Sequence, residues 1–162
     1  MKKAIRFIFA FALMAVLVLA MTSCVSGTVA DRGTASIVVE APEGHNVYTV
    51  DLSALEKRDE GAISVLEYLA MQEGSTLYYN LQWGGGYGAY ITAIDSLDPD
   101  PSCEYISIYT SESEDYAVPS EWTPVVPTVL YNGMTLTYSG VGLSGMHVND
   151  GTVIYIRLES FA

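Results

Sequence analysis

ISVLEYLAMQEG, residues 63–74, followed by LYYNLQWGGGYGAYITAI, residues 77–94, holds the change of period on which the fold turns. In the first stretch Ile63, Leu66, Leu69 and Ala70 recur at three- and four-residue spacing, which lays one apolar stripe along a helix. Ser64 followed by Glu67 is a capping-box pattern, in which hydroxyl and carboxylate satisfy each other's free amides. Gly74 ends the helix. In the second stretch the period drops to two, so Leu77, Tyr79, Leu81 and Trp83 share one strand face. Gly84-Gly85-Gly86 turns the chain, and Ala89 to Ile94 returns it as the second strand of a hairpin.

Sheet signals continue on both sides. Ala35 to Glu40 is β-branched, Pro42 and Gly44 make a turn, and Asn46 to Leu52 supplies a second strand. Downstream, Asp98-Pro99-Asp100-Pro101 breaks structure before a strand over Tyr105 to Tyr109. An acidic, proline-bearing loop runs from Ser111 to Pro127. Val129 to Tyr131, the turn Asn132-Gly133, and Met134 to Tyr138 form a hairpin. A last strand over Thr152 to Leu158 follows the Asn149-Asp150-Gly151 turn. The expected fold class is α+β, with one main helix packed on a mixed or antiparallel sheet, in one domain over residues 35–162.

The N-terminus reads differently. Lys2, Lys3 and Arg6 precede an unbroken apolar run from Phe7 to Met21. That is about 15 residues, short of the roughly 20 that a spanning helix needs, and it suits the apolar centre of a signal peptide. Met21-Thr22-Ser23-Cys24 then sets a small residue before a cysteine, as a lipoprotein signal peptidase requires. Residues 1–23 are expected to be cleaved and Cys24 to carry lipid. Two or more acyl chains on one cysteine suffice for stable attachment to a bacterial membrane. The predicted location is therefore extracytoplasmic, with Ser26 to Thr34 as a flexible tether.

Removal of the signal leaves four basic side chains, Arg32, Lys57, Arg58 and Arg157, against all 19 acidic ones. Such a surface excludes nucleic acid, whose phosphates need cations. With Cys24 lipidated, Cys103 is alone and no intrachain disulfide forms; its position at a strand start suggests packing.

The helix from Ser64 to Leu69, Gly86 to Ile94, the Tyr105 to Tyr109 strand, and the closing Val148 to Tyr155 run together resemble the transcobalamin-like C-terminal domain family. The resemblance covers roughly Ser36 to Glu159. It implies a β-grasp-like fold and a corrinoid (cobalamin-like) ligand, which in animal carriers this domain covers on one side.

The residues themselves give no sign of catalysis, and no enzyme is expected. His45 and His147 read as surface or turn histidines without the neighbours of a zinc site. No serine lies in a nucleophile-elbow pattern. The carboxylates Asp95, Asp98, Asp100 and Glu104, and likewise Glu112, Glu114 and Asp115, read as solvated loops. The aromatics are the best lead, because tyrosine offers rigid amphipathic area at low entropic cost. Trp83, Gly86, Tyr87, Gly88, Tyr90, Tyr105 and Tyr109 are the candidate ligand-binding residues. The expected function is a lipid-anchored binding module with no cofactor of its own, its ligand a corrinoid. The alternative is a surface interaction module contacting a glycan, peptide or envelope protein.

Overall fold

The computed structural model describes residues 27–84, 88–121 and 123–161. The predicted signal peptide, Cys24, Gly86 and Tyr87 lie outside them. The chain forms β1 (Thr34–Ala41), β2 (Gly44–Asp51), α1 (Ala62–Met71), β3 (Tyr79–Trp83), β4 (Ala89–Ile94), β5 (Glu104–Thr110), β6 (Thr128–Tyr131), β7 (Met134–Tyr138) and β8 (Val153–Ser160). Six strands make one mixed sheet in the order β2-β1-β8-β5-β7-β6, and β3 and β4 form a separate ribbon. β1 runs parallel to β8; its hairpin with β2, and the β8–β5, β5–β7 and β6–β7 pairs, are antiparallel. This is the expected α+β class.

Alternation along the strands makes two cores. Ile37 and Val39 of β1, Val50 of β2, Ile108 of β5 and Ile154 and Ile156 of β8 meet Ile63, Val65, Leu66 and Leu69 of α1. On the opposite face Val38, Tyr109, Leu136 and Tyr155 form a smaller cluster. It fills the inside of a curl. β2 and β6 end the sheet at opposite edges, yet the rings of His45 on β2 and Tyr131 on β6 lie 5.3 Å apart. Asn132 (φ 48°) and Gly133 (φ 80°) make the hairpin turn that brings Tyr131 there, as the Asn-Gly pair predicts.

Four sequence expectations need correction. The capping box is absent: the helix begins at Ala62, after Gly61 in a positive-φ conformation. Ser64 falls inside the first turns with its hydroxyl buried and unpaired, while Glu67 lies 3.7 Å from Lys57. The tether is docked over its described part, Gly27 to Thr34. Gly27 N donates to Ser144 O (2.9 Å), Ala30 N to Val148 O (2.8 Å), and Thr34 N to the Asp150 carboxylate (2.9 Å). Val29 is buried in the main core. Asp115 is no solvated loop residue, being 1% exposed. Cys103, finally, is exposed rather than packed, because β5 starts one residue later.

Candidate functional site

The candidate site is a groove of about 290 Å³ between the ribbon and the main sheet. Its floor is Ile106 and Ile108 on the helix-facing side of β5. Tyr90 of β4, 43% exposed, forms one wall. Tyr138, at the end of β7, and Ser139-Gly140-Val141-Gly142 form the other. That second wall is fixed by the backbone. Ser139 N donates to Ile108 O (2.8 Å), Gly140 N to Asp115 O (2.8 Å), and the Ser139 hydroxyl to Val141 O (2.8 Å). A side chain at Gly140 would press within 2.9 Å of Ala117 Cα, so a glycine there lets the wall and the acidic loop pack together. None of the lining residues is charged, in a chain with a net charge of −12.

The ribbon is held against the sheet by a carboxylate. Asp95, just after β4, accepts hydrogen bonds from Tyr48 Oη (2.7 Å) and Asn46 Nδ2 (3.2 Å) of β2. Burial, then the bond to Asp95, pushes the Tyr48 hydroxyl up to about 12. Asp95 therefore works as a structural tie rather than as a solvated loop residue. Asp100 stays exposed and closes a turn by accepting from Ser102 N (2.9 Å) and Oγ (2.7 Å).

The predicted site residues fall in separate places. In the ribbon register Trp83 faces Ala89 and Gln82 faces Tyr90, so Trp83 and Tyr90 leave opposite faces. Of the candidates among the described residues, only Tyr90 reaches the groove. Trp83 overhangs the strand end at 62% exposure. Gly88 has φ +90° and packs directly on the Ser144 hydroxyl, which accepts from Ala89 N (3.1 Å), so this glycine serves the closure of the ribbon. Tyr105 and Tyr109 point from the other face of β5, away from the groove floor. Both donate to Glu159, at 2.9 and 2.5 Å. Burial and then this bond push Tyr105 up to about 12 and Tyr109 higher still. Phe161 stacks on Tyr105 with centroids 5.0 Å apart. These two tyrosines are spent on joining β5 to β8.

A polar cluster that the sequence did not suggest lies behind the groove wall. Buried Asp115 accepts from His147 N (2.8 Å) and pairs with His147 Nδ1 (2.7 Å). Glu114 lies 3.6 Å from Nε2. Glu112 accepts from Asn149 Nδ2 (2.8 Å) and contacts the Thr152 hydroxyl. The hydrogen bond that Nδ1 donates to Asp115 raises the His147 pKa above its ordinary 6.5, burial opposing it and the Asp115, Glu114 and Glu112 charges adding to it. The outward ring nitrogen faces a carboxylate rather than a hydroxyl or thiol, so the pair has no nucleophile to activate. Among the described residues no three His, Cys, Asp or Glu side chains converge on a metal position. Acidic residues 112–115 and His147 are 32 or more positions apart, and no local pattern links them.

A larger cleft of about 360 Å³ lies between residues 54–57 and α1, lined by Leu55, Tyr68 and Met71 and spanned by the Lys57–Glu67 pair. Among the described residues none of the ligand-binding candidates borders it. Among the described residues no helix is long and apolar enough to cross a membrane.

No protein-family model matches this chain, and neither does any curated protein. Among solved structures, a Ruminococcus gnavus protein described as a "putative metal binding protein" is similar, at 17% identity and a TM-score of 0.49. The match covers 80% of this chain and 99% of that one. At that distance the likeness says nothing about chemistry.

Proposed function

We propose that residues 24–162 form a lipid-anchored extracytoplasmic binding module, held to a bacterial membrane through Cys24. The groove beside Tyr90 receives one edge of a flat, largely neutral ligand, a corrinoid by family resemblance. The observation that carries this reading is the uncharged apolar groove on a strongly acidic protein. Ligand sites combine apolar walls with a few polar groups, and here the Tyr90 and Tyr138 hydroxyls supply them. The strand order supports a β-grasp relationship: a β1–β2 hairpin leads to a helix, and the last strand enters mid-sheet parallel to the first. At about 290 Å³ the groove covers an edge of such a ligand and does not enclose it.

The same openness, with Tyr90 exposed at the groove wall, favours a second reading, a surface module that grips a peptide or glycan. Calorimetric titration of the lipidated protein in detergent with cobalamin and cobinamide separates the two. Saturable binding weakened roughly tenfold by Tyr90→Ala, equivalent to about 1.4 kcal/mol, supports the corrinoid reading. No heat at high micromolar ligand rejects it and leaves the interaction module.

A further inference from the structure

The docked tether restricts where the domain sits. Two residues, Val25 and Ser26, separate Cys24 from Gly27, and three backbone steps of at most about 3.6 Å each reach roughly 11 Å. Gly27 is no free end. Its amide donates to Ser144 O at 2.9 Å, and a side chain there would collide with the Met146 backbone. From Gly27 to Thr34 the chain then follows residues 144 to 151 through successive backbone bonds, so it leaves the domain beside Ser144. Ser144 is also the residue that closes the ribbon, its hydroxyl accepting from Ala89 N at 3.1 Å. Ala89 stands directly across from Trp83. The indole is therefore two hydrogen bonds and one cross-strand pair away from the anchor's exit. It is 62% exposed although its strand face is the one that carries Leu81 and Ile91 into the core.

We infer that Trp83 rests in the headgroup layer of the bilayer that holds Cys24, and that the Trp83–Ala89 end of the β3–β4 ribbon faces the membrane. The inference rests on lipidation of Cys24. Tryptophan suits this layer because its ring is apolar and its N–H still finds a polar partner there. An indole contact also suits a chain this acidic, which has few cations with which to attract anionic lipid. Trp83 and Tyr90 leave opposite faces of the ribbon, so this contact leaves the Tyr90 groove wall free.

The test uses the processed lipoprotein in nanodiscs, with Trp122→Phe making Trp83 the sole tryptophan and excitation set to the red edge, where only indole absorbs. Mass and flotation with lipid first establish the anchor. Expected are a blue-shifted emission, quenching by acyl-brominated lipid, and loss of iodide quenching relative to residues 25–162 free in solution. A floating protein whose Trp83 spectrum and iodide quenching match the free form overturns the inference while leaving the anchor intact. If Trp122→Phe disturbs folding, the quenching by brominated lipid that Trp83→Phe removes from the unsubstituted protein gives the same comparison. A protein without lipid mass that does not float removes the anchor, and the membrane contact with it.

Discussion

Replacing His147 with glutamine deletes the cation that holds the acidic loop to the turn before β8. Asp115 is 1% exposed, and His147 supplies both short contacts of its carboxylate, through the backbone amide and Nδ1. The variant keeps the amide bond and loses the charge-assisted ring bond. Hydrogen bonds to charged groups contribute about 1.5–3 kcal/mol. The imidazole side chain is 26% exposed, so the lower end of that range applies. For a domain of this size, about 1.5 kcal/mol corresponds to a Tm lower by roughly 5–8 °C. The pH dependence follows from the sign of the shift. The folded-state pKa lies above 6.5, so the ionic part of the contribution is complete below pH 6.5 and fades as pH rises through the folded value. A neutral imidazole still donates from Nδ1, so the gap narrows to an ordinary hydrogen bond of about 1 kcal/mol. Thermal unfolding of both proteins from about pH 5.5 to about pH 9 measures the difference directly and cancels the other titrating groups. A gap that stays constant, or widens towards high pH, would refute the reasoning.

Other expectations follow from single contacts. Gly133→Ala places a side chain at φ +80° with nothing within 4 Å, so it should cost about 1 kcal/mol from the backbone alone in denaturant titration, while Asn132→Gly should be close to neutral. Tyr109→Phe removes the 2.5 Å bond to Glu159 and should cost roughly 1.5–2 kcal/mol; a smaller loss in Tyr105→Phe would match its weaker burial. Cys103 should react fully with iodoacetamide in the folded protein within the time taken by a small thiol, whereas protection until unfolding would contradict its exposure.

Local patterns in this sequence translated well. The stripe of Ile63, Leu66 and Leu69 became the buried face of α1, and Asn132-Gly133 became a turn because only a few residues accept two successive positive φ angles. The Ser64–Glu67 pattern failed because Gly61 starts the helix three residues earlier than a serine cap would, which moves Ser64 under the core. Long-range placement was not legible. Nothing near residues 112–115 marks Asp115 as buried, since its partner His147 comes 32 residues later. Grouping the aromatics as one site ignored that the ribbon register sends Trp83 and Tyr90 to opposite faces, and that β5 turns Tyr105 and Tyr109 towards Glu159. The tether looked flexible from composition alone; its small residues are what allow Gly27 and Gly33 to lie against Met146 and Asp150.

The parallel pairing of Ser36 to Val39 with Val153 to Ile156 sets the order in which the molecule can be finished. The first strand of the sheet has its inner neighbour only when the last eight-residue strand exists, and β5 waits for that same strand on one side. A chain cut anywhere before residue 153 therefore presents Ile37-Val38-Val39 as an open, β-branched edge, the type of segment that recruits other chains. Closing contacts between strands so far apart also makes folding slow, because the loop entropy is spent before those contacts form. Truncated products should accordingly accumulate as aggregates rather than as smaller folded domains.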